Sequence, residues 1–312
     1  MSLTKYNILN FEKISLNLKP IIDKYYTKYG EGSCQHSFVT NFCLKDKYDD
    51  MYCEHDSFLY VLRNGLNDDS NRVYLFPMGD KEDEGKIKSA IDNILCDAKN
   101  YGKKVIFNSI TESSKDVLLK LCDGKFEVED SNDLYEYVYN VEDLAYLSGP
   151  KYYNKRNEVK SFFRKYEGRI SIKKIEESDV SSIKDVYKMW MDVSEERNNN
   201  TQLKFENAEL NIAFDYYNEL GIIGLAVYID NHMIGFIIGA KLNDEYVDAM
   251  IEKGDINYKG VYRVLNSEFP KMCVDKYKYI NLEEDLGIEG LRNMKLLYHP
   301  SHLIKKYVAR EV

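Results

Sequence analysis

Long apolar runs are missing from this 312-residue chain: the longest stretch, residues 220–229, ends at Asp230. That is far short of the roughly 20 apolar residues a membrane-spanning helix needs, so no integral membrane segment is expected. The polar start Met1-Ser2-Leu3-Thr4-Lys5-Tyr6 lacks the apolar core of a secretion signal. Proline is scarce, at five residues, which excludes long Pro-rich linkers. Positive charge is in deficit. A net charge of -9 argues against a generally basic nucleic-acid binder, DNA-binding modules included. It leaves room for a local basic patch, because phosphate contacts respond to the local field. None of the six cysteines, at 34, 43, 53, 96, 122 and 273, stands in a C-x-x-C pair. Reduced thiols in a soluble, cytoplasmic protein are the expectation.

What is present is an ordinary globular composition, 44% hydrophobic and 30% charged, with 27 Tyr against one Trp. The length suits about two domains, each with enough chain for a core. Residues 11–30 carry apolar side chains at helical spacing until Gly30 and Gly32 break the pattern. Strand-like runs follow at 37–44, 57–62 and 72–76. Helices are expected at 81–100 and 113–121, with a buried strand at 103–110 between them and one or two strands in 126–140. Cys34/His36 and Cys53/His55 repeat a Cys-x-His spacing. Zinc would require all four side chains to converge, and two pieces of buried strand are the plainer account.

Residues 151–165 hold six basic residues against one Glu, beside Tyr152 and Tyr153. Cations next to aromatic faces suit RNA; the alternative is a solvated amphipathic helix with Val159, Phe162 and Phe163 turned inward. Beyond residue 168 the pattern reads β-α-α-β-β-β-α-β-α-β, the element order of the acetyltransferase-like fold. It includes the hairpin turns Asp230-Asn231 and Asn243-Asp244. The polar stretch 192–202 reads as a loop, with 198–201 either an acceptor-side lid or plain disorder. The fold class is therefore α+β, with two tandem N-acyltransferase (GNAT-like) domains and mixed, mostly antiparallel sheets. The divisions expected are 1–145, a basic connecting segment 146–168, and 169–312.

That fold binds the coenzyme A pyrophosphate on a Gly-rich loop at a helix N-terminus. The corresponding loop here is 254–262. Gly260 is in place, but Asn257 and the bulky Tyr262 depart from the pattern. Glu252 ends the preceding strand, where a carboxylate would serve as a base for acyl transfer to an amine; Glu284 competes for that role. Arg292 and Lys295 lie three apart on one helix face and suit an anion. The structural alternative is Asp285 capping that helix with cations near its end.

Several segments carry a resemblance: Ile251-Glu252-Lys253, residues 259–269, residues 280–295, and Asp143-Leu144 with Gly149, Lys155-Arg156-Asn157 and Phe162. Together they resemble a soluble bacterial family related to the C-terminal domain of phosphatidylglycerol lysyltransferase and, more distantly, Fem-type peptidyltransferases. The resemblance implies transfer of an aminoacyl group from tRNA, or an acyl group from coenzyme A, to an amine or hydroxyl. It implies donor or acceptor contacts at Lys155, Arg156, Asn157, Lys253, Gly260, Asn281, Asp285, Arg292 and Lys295. No metal and no tightly bound cofactor are expected; the donor is a coenzyme A ester or an aminoacyl-tRNA. The rival reading is a ligand- or RNA-binding module that kept the fold without the chemistry.

Overall fold

The computed structural model describes residues 9–195 and 201–312, and the side chains of all these except 189, 191–195 and 201–205. The Asn-rich stretch 198–200 and the polar start of the chain lie outside the described residues. Among the described residues no helix is long and apolar enough to cross a membrane.

The chain divides into two units. The first runs to Glu136 and takes in Glu284–Glu289 and Leu303–Val312; the second comprises Tyr137–Glu283 and Gly290–His302. The first unit opens with β1 (Glu12–Lys13), α1 (Lys19–Tyr29), α2 (Phe38–Cys43) and α3 (Lys45–Tyr48). The antiparallel strands β2 (Asp50–His55), β3 (Phe58–Arg63) and β4 (Asn71–Tyr74) follow. Then come α4 (Glu84–Asn100), β5 (Lys104–Thr111), α5 (Glu112–Leu121) and β6 (Phe126–Asp130). Ile87, Ile91 and Ile94 of α4 recur every turn and are fully buried against Phe107 and Val105 of β5. Asp83 accepts from the Lys86 N–H and fixes where α4 begins.

Residues 37–44, expected as a strand, instead form helix α2 over Phe38–Cys43. Ser37 caps α2 by accepting from the Thr40 N–H at 3.2 Å. Every residue of α2 is buried, so neither a two-residue nor a 3.6-residue apolar period marks it. Cys34 and His36 lie in a 3-10 turn, not a strand, whereas Cys53 and His55 do share a strand, β2.

The second unit contains β7 (Glu136–Asn140, counted from Tyr137), α6 (Val141–Tyr146), α7 (Tyr153–Lys165), β8 (Ile170–Lys174), α8 (Val180–Glu195), α9 (Thr201–Asp215) and α10 (Tyr217–Leu220). Helix therefore occupies residues 192–195 and 201–202, which the sequence led us to expect as loop. A hairpin meander follows: β9 (Ile223–Ile229), β10 (His232–Lys241) and β11 (Tyr246–Gly254). It leads into α11 (Val261–Cys273), β12 (Tyr279–Glu284), α12 (Glu289–Leu296) and the closing strands β13 (His302–Ile304) and β14 (Lys306–Glu311). In β10 the register against β11 shifts between Ile238 and Ala240. Gly239 sits at this irregularity because a Cβ there would come within 1.9 Å of the Asp248 carbonyl oxygen.

Among the described residues each sheet has seven strands, in the orders β1-β2-β3-β4-β5-β14-β6 and β8-β9-β10-β11-β12-β7-β13. The orders match place for place. The sixth place of the first sheet is filled by the last strand of the chain, and that of the second by the last strand before α6. The terminal strand, read from sequence as the end of the second half, thus pairs with β5 and β6. Both strands are largely buried: Tyr137, Val138 and Tyr139 in β7, and Lys306, Tyr307 and Ala309 in β14.

Candidate active site

In the second unit, the parallel pairing of β11 with β12 covers Tyr246↔Tyr279, Val247↔Ile280 and Asp248↔Asn281. Past that point β11 stays paired with β10 through Ile237↔Glu252 and Gly235↔Gly254, but no longer with β12. The cause is local. The buried Asn281 side chain accepts from the Glu283 N–H at 2.8 Å, and Glu283 adopts a positive φ of 57°. Lys295 holds the bend by donating to the carbonyls of Leu282 (2.5 Å) and Glu283 (3.0 Å). Glu252 lies on the stretch of β11 released in this way.

Helix α11 supplies its neighbours. Gly260 caps the helix at φ 102°, a conformation that favours glycine, and a Cβ there would also press on Phe162 Cδ2 at 3.2 Å. Arg263 and Asn266, three apart, lie one turn from each other on one face. Asn266 Nδ2 donates to Glu252 Oε1 at 2.6 Å and to the Tyr262 carbonyl at 2.9 Å. Arg263 donates to the Tyr298 hydroxyl at 2.9 Å and to Glu158 at 2.8 Å. Lys155 reaches over the Tyr298 ring, 4.8 Å from its centroid.

Burial pushes the Glu252 carboxyl up to about 7, against the opposing pull of Asn266 and of the charges on Arg263, Lys253 and Lys295. Burial likewise raises the Tyr298 phenol to about 12, with Arg263 opposing and the charge of Glu252 adding to it. Burial and the neighbouring Arg263 lower the Lys155 ammonium. A carboxylate that exchanges its proton near neutrality, next to a phenol that stays protonated and accepts from a guanidinium, can take a proton at one atom and return one at another.

The 254–262 loop makes several contacts within itself. The Asn257 N–H binds Asp255 Oδ1 (2.9 Å), the Tyr258 N–H binds the Asp255 carbonyl (3.0 Å), and the Val261 N–H binds the Tyr258 carbonyl (3.0 Å). The Tyr262 hydroxyl donates to the Gly254 carbonyl at 3.3 Å. Two of these bonds, from Tyr258 and Val261, take N–H groups at the helix entry, and the Asp255 carboxylate places negative charge beside that entry.

The remaining sequence-predicted positions are distributed. Lys253 pairs with Glu206 at 2.6 Å. Arg156 donates to the carbonyls of Leu147 and Gly149, bracing the turn before α7, and Asn157 is exposed. Asp285 is buried in the first unit and accepts from the Gly287 N–H at 2.9 Å, four residues ahead of α12. Arg292 is half-buried on α12, whereas Lys295 on the same helix is buried.

Glu284 belongs to the first unit and joins a polar chain there. Gln35 Nε2 donates to it at 3.1 Å, and Cys34 Sγ lies 3.9 Å away. Arg63 donates to the Gln35 side-chain oxygen at 2.9 Å and to Asp50 at 3.2 Å. Among the described residues, the His/Cys/Asp/Glu group close enough to share an ion is Cys34, Glu136 and Glu284; His36, Cys53 and His55 do not join it. The Lys306 ammonium, 2.7 Å from Glu136, already supplies the positive charge at that carboxylate. His36 is buried, with Nδ1 3.0 Å from the Gly30 carbonyl; burial and the nearby Lys306 charge push it down to about 4. Being depressed below the unfolded value, this histidine costs stability as pH falls from about 6.5 to 4, by roughly 3 kcal/mol in full. Urea midpoints measured across that range should fall with acid in the parent and fall less in His36→Asn. Equal slopes would refute the assignment.

Arg263, Asn266 and Tyr298 did not emerge from sequence reasoning. The 263/266 spacing was a usable signal, since both polar residues fall on one face of a helix beginning at Gly260. Tyr298, beyond α12, had none.

Residues 26–310 match the family described as phosphatidylglycerol lysyltransferase, C-terminal. A solved structure of a conserved protein of unknown function from Bacteroides thetaiotaomicron is 26% identical, with 97% of this chain and 100% of that one covered and a TM-score of 0.91. The C-terminal domain of a protein described as a lysylphosphatidylglycerol synthetase from Agrobacterium fabrum is 13% identical, with coverages of 94% and 93% and a TM-score of 0.66. FemX is 7% identical, with coverages of 97% and 98% and a TM-score of 0.65. At those identities the last two show the fold alone, as does a tandem GNAT protein from the clavulanic acid biosynthesis pathway, 9% identical with coverages of 97% and 98% and a TM-score of 0.50; the α+β fold with tandem GNAT-like halves is the one expected from the element order.

Proposed function

Because the chain belongs to the phosphatidylglycerol lysyltransferase C-terminal family, we propose that it is an aminoacyltransferase that moves an aminoacyl group from tRNA to an amine or hydroxyl acceptor, with Glu252 as the base. The observation that carries this reading is the Glu252 carboxyl, raised to about 7 on the released stretch of β11 and held by Asn266. Glu252 takes the acceptor proton as the acceptor attacks the ester carbonyl. The new C–N or C–O bond forms, the ester C–O bond to the ribose breaks, and the departing ribose oxygen takes a proton. Tyr298, kept protonated and bound by Arg263, is the group placed to give it, while the guanidinium offsets the negative charge that develops. The Asp255 carboxylate in the 254–262 loop, repelling a pyrophosphate there, favours an aminoacyl-tRNA over a coenzyme A ester as donor.

The test is a pH profile of transfer from bulk aminoacyl-tRNA to a panel of small amines and alcohols. A working base must be ionised, so kcat/KM should rise about tenfold per pH unit below about 7 and level off above it. A flat profile between pH 5.5 and 8 would remove Glu252 as the base. Transfer from coenzyme A esters alone would replace the donor. No transfer from either would leave a binding module.

A further inference from the structure

The helix that backs the Glu252 cluster has a second, outward face that the chemistry does not use. Lys155, Val159 and Phe162 of α7 are buried, as are Tyr152 and Tyr166 at its two ends; Lys155 reaches Tyr298, Phe162 lies against Gly260, and the exposed Glu158 pairs with Arg263 from the helix flank. Tyr153, Asn157, Lys160 and Arg164 follow one another at steps of four, three and four, which puts them in a single stripe on the opposite face. All four are exposed, Tyr153 by 59%. Among the described residues no carboxylate pairs with Lys160 or Arg164. The one acid within α7, Glu158, is taken by Arg263. Lys165 flanks the stripe and Lys151 precedes it, the latter paired with Asp143 at 3.2 Å; Glu167 is the nearest acid beyond the helix end. The stripe is therefore locally positive on a chain of net charge -9.

We propose that this outer face of α7 docks the RNA of the aminoacyl donor, with Lys160 and Arg164 on backbone phosphates and Tyr153 stacked on an unpaired base. This rests on the aminoacyl-tRNA reading above. The residue types fit the partner: cations for phosphates, a flat exposed ring for stacking, an amide for a base edge. At 1.5 Å per residue the stripe is about 16 Å long, enough for several nucleotides of one strand, and one helix diameter, about 10 Å, separates it from the inward face. An anionic membrane is the lesser match, because a helix lying in a bilayer surface presents Leu, Phe or Trp beside its cations. This stripe has none.

The experiment is fluorescence anisotropy with deacylated bulk tRNA at 50–200 mM salt, using the full chain. The parent should bind with affinity falling steeply as salt rises. The double variant K160E/R164E should bind at least tenfold more weakly at 50 mM, with the slope of log K against log salt reduced by about 2. Tyr153→Ala should lose roughly tenfold with its slope unchanged, since stacking releases no counterions. Both variants change exposed side chains, and unchanged melting curves confirm that they fold. Parent-like binding by the double variant, no binding by the parent at 50 mM salt, or binding to phosphatidylglycerol vesicles in place of tRNA would each overturn the docking face. Glu252→Gln separates the two claims. It should bind tRNA as the parent does and lose transfer. If it kept transfer while K160E/R164E lost tRNA, the base assignment would fail and the docking face would stand.

Discussion

Lys306→Met is expected to lower the free energy of unfolding by about 3–5 kcal/mol, and Glu136→Gln to do comparable damage. The two side chains are 1% and 0% exposed, and Nζ lies 2.7 Å from Oε1. Ser33 Oγ donates to the same carboxylate at 2.7 Å and the Cys34 N–H at 3.0 Å, and Lys306 also donates to Ser33. With the ammonium removed, a fully buried carboxylate keeps the neutral donors Ser33 and the Cys34 N–H but loses its counter-charge. With the carboxylate neutralised, the ammonium is stranded instead. Replacing both charges by Met should cost less than the sum of the single changes, because most of each single loss is the penalty of the partner left behind. A double-mutant cycle on urea midpoints reads this directly. Strict additivity would mean that the pair does not act as a unit. The position matters because each residue opens a strand, β7 or β14, that fills the sixth place of a sheet.

Glu252→Gln is expected to lower aminoacyl transfer by 10²–10⁴-fold, the usual worth of a positioned general base. It should also change stability in a direction that identifies the group. The folded carboxyl is raised from 4.5 to about 7, so Glu252 favours the folded state fully below pH 4.5, and that contribution is lost as pH rises from there through 7. Gln mimics the protonated form. The variant should therefore match the parent at pH 4 and exceed it at pH 8, by at most roughly 3 kcal/mol, less whatever solvent screens at this half-buried site. A variant that lost transfer and was also less stable at pH 8 would point to a packing defect. Unchanged turnover would refute the base.

Much of the second half was legible because its signals are local. The Asp230-Asn231 and Asn243-Asp244 turns set off the β9–β11 meander, and a glycine at 260 marked the start of α11. Those features depend on neighbours a few residues away, which is the range over which periodicity and turn chemistry act. The same reading placed Glu252 at a strand end beside the helix loop, where it is. It failed at 37–44, where full burial of α2 removed any period, and at 192–195, where polar composition suggested a loop inside a helix.

By itself the sequence determined the fold class, the element order of the second half and the strand that carries Glu252, because backbone geometry and side-chain periodicity are short-range. Tertiary structure alone decided that the last strand of the chain completes the first sheet. It also decided that Lys306 meets Glu136 across 170 residues, that Glu284 joins Gln35 and Cys34 rather than Glu252, and that Arg263 finds Tyr298. Such pairings follow from which strand fills which place in a sheet and from the need of each buried polar group for a partner, and neither condition is written at any fixed spacing along the chain.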